Sequence, residues 1–306
     1  MKRIFVSCPP MLGERSQIEQ LATQWGLEIV CADVVQTLSK EELIAQLPNF
    51  DAWIAGDDQA DAEVIQHAYN GKLRGLVKWG IGIDNIDTNT VEKLSIKFAN
   101  TPGMFSNEVA DIALGYLISL VRKIPNIDKN VRANNWIKPQ GESLSGKTAG
   151  IIGLGNIGQA LARRLHACEL KLVGYDPYAD NLDHGQIQPW PVHVGELDYL
   201  FLCCALTPEN RHIINADILS QMKTSAYLIN VSRGPLVDEA ALVEALQNDQ
   251  LRGAALDVFE TEPLPQISPL ITMENTILGS HNASNTKEAV QATNARAVEL
   301  AAGMIA

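Results

Sequence analysis

The stretch Ile151-Ile152-Gly153-Leu154-Gly155-Asn156-Ile157-Gly158 lies at the middle of a 306-residue chain and decides how the rest is read. Its glycines have the spacing G-x-G-x-x-G. That spacing alone is a weak signal, so the flanks settle its meaning. Lys147-Thr148-Ala149-Gly150-Ile151-Ile152 in front reads as a short buried strand, and 159–165 behind reads as a helix. In that setting Gly153 allows a tight turn, Gly155 lets the backbone approach a pyrophosphate, and Gly158 lets helix pack on strand. The helix start offers free N–H groups and a positive dipole end to phosphates. A second strand, 171–175, ends in Asp176, 18 positions beyond Gly158. About 20 is expected for a carboxylate that binds the adenosine ribose hydroxyls. An acid there repels a 2′-phosphate, so the pattern predicts NAD rather than NADP.

Working outward, 306 residues at roughly 150 per domain suggest two domains. The net charge of −12 repels phosphate backbones and anionic membranes, which argues against nucleic acid and membrane as partners. The five cysteines are odd in number and show no metal-binding spacing, which fits a reducing cytoplasm and no metal. Met1-Lys2-Arg3-Ile4-Phe5-Val6-Ser7 reads as a first strand, not a signal peptide. Apolar runs fall far short of the ~20 residues that span a bilayer.

Strands and helices alternate almost throughout, which predicts an α/β fold with parallel sheets. In the first hundred residues strands are expected at 2–7, 28–32, 51–55, 74–79 and 96–99, with helices at about 14–25, 40–47, 60–70 and 88–94. Thr101-Pro102-Gly103 breaks the series, and a long helical stretch follows with Val109, Ile112, Ala113, Tyr116, Leu117 and Leu120 at helical spacing. Strands resume at 148, 171–175, 198–204, 226–231, 252–257 and 276–279, and a helix from about 286 to 302 closes the chain. A simple arrangement returns that helix to the first domain. The nucleotide domain, 101–281, is then inserted within a substrate domain made of 1–100 and 282–306.

Three strand ends of the second domain hold residues suited to chemistry. The strand 226–231 leads into Arg233, the strand 252–257 into Asp257 and Glu262, and the strand 276–279 into His281. Hydride transfer to a 2-oxo carbon needs a general acid for the oxygen, and histidine suits that near neutral pH. An adjacent carboxylate orients the ring, and arginine offers a planar fork for a substrate carboxylate. Any one of these residues alone reads more simply as a loop charge. The three together, after a dinucleotide motif, reverse that weighting.

With these motifs the chain resembles the D-isomer-specific 2-hydroxyacid dehydrogenases, in particular the phosphoglycerate-dehydrogenase-like branch. The matching stretches are 153–158 with Asp176, NVSRGPLVDE (230–239), DVFETEPLP (257–265), SHNAS (280–284), KWGIGIDNID (78–87) and NTPGMFSNEVAD (100–111). The resemblance implies two Rossmann-like parallel-sheet domains, the nucleotide-binding one inserted within a flavodoxin-like substrate domain. It implies Arg233 as binder of carboxylate and ketone, His281 as proton donor and acceptor, and Glu262 as its support. It further implies Gly153, Gly155, Asn156, Ile157, Gly158, Asp176, Thr207, Val231, Ser232 and Asp257 as cofactor contacts. Lys78, Gly80, Ile81 and Gly82 would form a strand-end loop whose N–H groups receive the substrate carboxylate. Family members usually dimerise through their nucleotide domains, so a homodimer is expected.

The chain departs from that branch in three places. Lys78 stands where phosphoglycerate dehydrogenases commonly have arginine, and Asp111 replaces a more frequent glutamate. The sequence ends at Ala306, so a C-terminal regulatory extension is not expected. Asp57 and Asp58, near the substrate loop, disfavour a doubly charged phosphate substrate. Glyoxylate/hydroxypyruvate and D-lactate-type reductases are therefore the alternatives. A reading of another class is an NAD-sensing, corepressor-like binding protein.

Overall fold

The computed structural model describes residues 1–306 and divides them into two compact units. Met1–Phe105 with Asn285–Ala306 form the first, and Ser106–Ser284 form the second. The sequence boundaries at 100 and 281 therefore move by a few residues, for two physical reasons. Phe105 packs on Trp79 with ring centres 4.9 Å apart and planes tilted by 44°, and Thr101 donates its N–H to the Gly80 carbonyl, so 101–105 stay with the first domain. The Ala283 N–H donates to the Asp257 carboxylate, so 282–284 stay with the second.

The first domain is a five-stranded sheet of β1 (Arg3–Val6), β2 (Glu28–Cys31), β3 (Ala52–Ala55), β4 (Gly75–Lys78) and β5 (Lys97–Asn100). All neighbours pair in parallel in the order β2-β1-β3-β4-β5, the flavodoxin-like doubly wound arrangement. Ala52-Trp53-Ile54-Ala55 is buried along its whole length, as a central parallel strand covered on both faces requires. The helices between strands carry their own start signals. Ser39 and Glu42 form a capping box, and the Asp61 carboxylate accepts from the Val64 N–H. The closing helix, Lys287–Ile305, starts at a Thr286 cap and packs on β3 and β4. Its buried face is made of small and branched residues (Ala297, Val298, Ala301, Ala302), which lets it lie close to the sheet. The buried Asn294 joins the helix to the domain, donating to Gln17 at 3.1 Å and accepting from Trp79 at 3.0 Å.

The second domain is a seven-stranded, wholly parallel sheet. Its strands are β6 (Thr148–Ile152), β7 (Lys171–Tyr175), β8 (Gly185–Ile187), β9 (Tyr199–Leu202), β10 (Tyr227–Asn230), β11 (Gly253–Leu256) and β12 (Thr276–Leu278). The order is β12-β11-β10-β9-β6-β7-β8. The direction of winding reverses between β6 and β9, and open sheets of this kind bind ligands at the strand ends beside such a point. The helix Ser106–Arg122 packs against the helix Asn156–Ala167 and against β10, β11 and β12. Leu200, Leu202, Leu228, Leu242 and Ile214 anchor the core on the other side. The short strand β8 and the one-turn helix Pro9–Leu12 had no periodic signal, being only 3 and 4 residues long.

Candidate active site

Gly153 follows β6 with φ +92°, a backbone conformation that side-chain-bearing residues rarely adopt. A Cβ there would also lie 2.5 Å from the Cys204 backbone. A Cβ on Gly158 would run into the Gly153 carbonyl, so the helix Asn156–Ala167 sits tightly on the turn only because that residue is glycine. Gly155 is the N-cap, with no side-chain cap and open space where a Cβ would stand. The first-turn N–H groups at Asn156 and Ile157 therefore face a space bare of side chain, at the positive end of a 12-residue helix. This arrangement fits a pyrophosphate.

Asp176, at the end of β7, has one carboxylate oxygen on the Leu154 N–H and the other on the Tyr178 N–H, both at 2.8 Å. It thus ties the glycine turn to the second strand while keeping lone pairs for ribose hydroxyls. Together these residues suit the pyrophosphate and ribose of a dinucleotide.

Farther along the same edge, β10, β11 and β12 present Arg233, Glu262 and His281. The Arg233 loop is closed by Asn230, whose side chain accepts from the Ser232 N–H at 3.0 Å and donates to the Arg233 carbonyl at 2.8 Å. The Ser232 hydroxyl donates to the Cys204 carbonyl, and Val231 is buried. Arg233 Nη1 donates to the Ser232 carbonyl at 2.8 Å. Gly234 lies against the Phe259 carbonyl with no room for a Cβ, which brings the Arg233 loop onto the loop that carries Glu262. Glu262 Oε1 accepts from the Phe259 N–H at 3.0 Å, and Oε2 meets His281 Nδ1 at 2.7 Å. Both side chains of that pair are about three-quarters buried, at 23% and 25% exposure. His281 itself has φ +54° and donates its N–H to the Asp257 carbonyl at 2.7 Å.

Asp257 is 1% exposed, and its carboxylate accepts from the Tyr116 hydroxyl at 2.8 Å and the Ala283 N–H at 2.9 Å. Thr207 lies exposed in a loop closed by its own N–H on Asn210, at 2.7 Å. The sequence reading did not find the parts played by Asn230 and Tyr116. Asn230 ends its strand with a side chain suited to closing a turn, which was a usable signal. Tyr116 sits within an apolar helical series that says nothing of its hydroxyl.

In the first domain the residues 78–82 run on from the last residue of β4 as expected, but two of them are already engaged. Lys78 is 3% exposed, with its ammonium 3.2 Å from the Asp57 carboxylate and donating to the Trp79 carbonyl at 3.0 Å. The Gly80 N–H donates to Thr101 Oγ1 at 2.8 Å, so it is not available as a carboxylate receptor. The N–H groups of Ile81 and Gly82 are the ones left open at this turn. Asp58 is buried beside it, accepting from the Ser7 hydroxyl at 2.5 Å and the Leu38 N–H at 2.8 Å. Trp53 Nε1 completes the cluster with a bond to Ser7 Oγ at 2.8 Å. Burial pushes the Asp58 carboxyl above the usual carboxylate range.

Residues 114–283 match the D-isomer specific 2-hydroxyacid dehydrogenase, NAD binding domain. A glyoxylate reductase of Thermofilum pendens is 38% identical over 95% of this chain and 90% of its own length. A D-3-phosphoglycerate dehydrogenase of Methanocaldococcus jannaschii is 35% identical over 87% of this chain, and the chain spans only 52% of that longer protein. Among solved structures, the TT0316 protein of Thermus thermophilus superposes with a TM-score of 0.88 at 30% identity, covering 97% of this chain and 94% of that one. Sequence, strand order and the glycine turn agree: the chain belongs to the D-isomer specific 2-hydroxyacid dehydrogenases, a family of nicotinamide-dependent oxidoreductases.

Proposed function

We propose that this protein is an NAD-dependent dehydrogenase interconverting a small 2-oxo acid and its D-2-hydroxy acid. The observation that carries the reading is the His281–Glu262 pair at 2.7 Å, on the same sheet edge as Arg233 and the glycine turn. A bound nicotinamide supplies or accepts the hydride. The protein's own residues handle the oxygen and the carboxylate. Glu262 on Nδ1 holds the hydrogen there, so Nε2 is the ring nitrogen that would exchange a proton with the substrate oxygen. Glu262 also offsets the charge of the imidazolium. Arg233 presents a bidentate fork to the carboxylate and polarises the ketone. Gly153, Gly155, Asn156, Ile157 and Gly158 hold the pyrophosphate, Asp176 holds the adenosine ribose and favours NAD over NADP, and Thr207, Val231, Ser232 and Asp257 surround the nicotinamide. In the first domain Ile81 and Gly82 offer N–H groups to the substrate.

The charges beside β4 favour an unphosphorylated acid such as glyoxylate or hydroxypyruvate over 3-phosphoglycerate. Lys78 is the buried cation there, and Asp57 already takes its charge. We further propose a cytoplasmic homodimer that meets through the second domain. Ile112, Ile124, Val131 and Trp136 leave an exposed apolar surface along 106–136, and all five cysteines are free thiols. No helix is long and apolar enough to cross a membrane.

A panel of 2-oxo acids with NADH tests the reading, run on the parent and on Arg233→Ala and Lys78→Ala. Turnover is expected with the small unphosphorylated acids, and Arg233→Ala is expected to lose more activity than Lys78→Ala. Binding of NADH without turnover of any acid would favour an NAD-sensing binding protein instead.

A further inference from the structure

The tyrosine on the long helix of the second domain is not explained as core packing. Tyr116 is only partly buried, and its hydroxyl donates to Oδ1 of Asp257, a carboxylate that is 1% exposed. Asp257 in turn holds the turn 279–283 at two points. Its carboxylate accepts from the Ala283 N–H and its backbone carbonyl accepts from the His281 N–H. The same turn closes over the Tyr116–Asp257 contact. Gly279 lies so near both Tyr116 Oη and Asp257 Oδ1 that no Cβ fits there. Between these fastenings sits His281 in the left-handed region, φ +54°, a conformation that a residue with a side chain keeps only when its surroundings impose it.

We propose that Tyr116 is a positioning residue for His281, acting through Asp257. The phenol fixes the rotamer of a carboxylate that has no solvent to orient it. That carboxylate and its own carbonyl fix the turn, and the turn sets the imidazole at 2.7 Å from Glu262. A buried charge-assisted bond is directional, so its loss frees the Asp257 side chain to swing and the Ala283 bond to loosen. The proposal rests on the reaction inferred above for its kinetic consequence but not for its structural one.

The test is Tyr116→Phe, which removes one oxygen and keeps the ring in the helix packing. With the preferred 2-oxo acid and saturating NADH, kcat is expected to fall about tenfold while KM for the acid stays within about twofold, because the histidine and not the substrate site is displaced. Proton NMR of the parent should show a downfield resonance from the His281 Nδ1 hydrogen, identified by its upfield shift or loss in Glu262→Gln. In Tyr116→Phe that resonance should shift or broaden. A variant with parental kcat and an unmoved resonance overturns the proposal. So does a variant that is less stable and less active but keeps the resonance in place, which marks Tyr116 as a packing residue only. If the parent turns over no 2-oxo acid, the functional reading falls, and the resonance alone still decides the role of Tyr116.

Discussion

Glu262→Gln keeps the size of the side chain, removes its charge and disturbs two bonds. One carboxylate oxygen accepts from the Phe259 N–H at 3.0 Å and the other from His281 Nδ1 at 2.7 Å. A carboxylate accepts on both sides, but an amide accepts on one and donates on the other. If the amide oxygen faces His281, its NH2 group opposes the Phe259 N–H. If the NH2 group faces His281, Nδ1 must accept, and the ring takes the tautomer with its hydrogen on Nε2. The first orientation loses the Phe259 bond, the second keeps both contacts but puts the ring hydrogen on Nε2, and both remove the countercharge of the imidazolium. A hydrogen bond to a charged group is worth about 1.5–3 kcal/mol. With roughly a quarter of each side chain exposed, solvent screening places this pair in the lower half of that range. About 1.5–2 kcal/mol lost from the transition state corresponds to a roughly 10–30-fold drop in kcat. The assay is the initial rate of NADH oxidation at saturating 2-oxo acid, with thermal unfolding as the control for the fold. A variant with kcat within about twofold of the parent and unchanged stability would refute the pairing as a catalytic device.

Two other outcomes concern residues with fixed partners. Asp176→Ala removes the carboxylate that accepts from Leu154 and Tyr178, so it should raise KM for NADH and lessen discrimination against NADPH together. An unchanged NADH/NADPH preference counts against the ribose contact. Asp58 is raised above its ordinary value of 3.8, chiefly by burial. The folded chain then holds a proton that the unfolded chain releases, so its stabilisation is full below the unfolded pKa and is lost as pH rises through the folded one. Asp58→Asn should lessen the fall of the denaturation midpoint as pH rises above the ordinary carboxylate range, and a slope identical to the parent's would contradict that assignment.

The two sheets were legible because central parallel strands are continuous apolar runs. Tyr199-Leu200-Phe201-Leu202 and Ala52-Trp53-Ile54-Ala55 announce themselves by composition. The glycine turn was legible because three glycines with fixed spacing sat between a strand and a helix. What sequence could not give was pairing across long separations. Nothing local in Lys78-Trp79-Gly80 says that Thr101 takes the Gly80 N–H, or that Asp57 takes the Lys78 ammonium. Tyr116 and Asp257 lie 141 positions apart, and an apolar helical pattern reads the tyrosine ring while ignoring its hydroxyl. Strand β8 escaped because three residues at a sheet edge, none of them fully buried, establish no period.

The closing helix also sets an order of events during synthesis. Residues 106–284 form a contiguous unit, whereas the first domain needs Lys287–Ile305 against β3 and β4. At about 5–20 residues per second, the 179 residues of 106–284 take roughly 10–40 s to emerge. Throughout that interval the nascent first sheet lacks its last helix and keeps apolar surface uncovered. The second domain, begun later, can finish first. The part of the protein made earliest is therefore completed last.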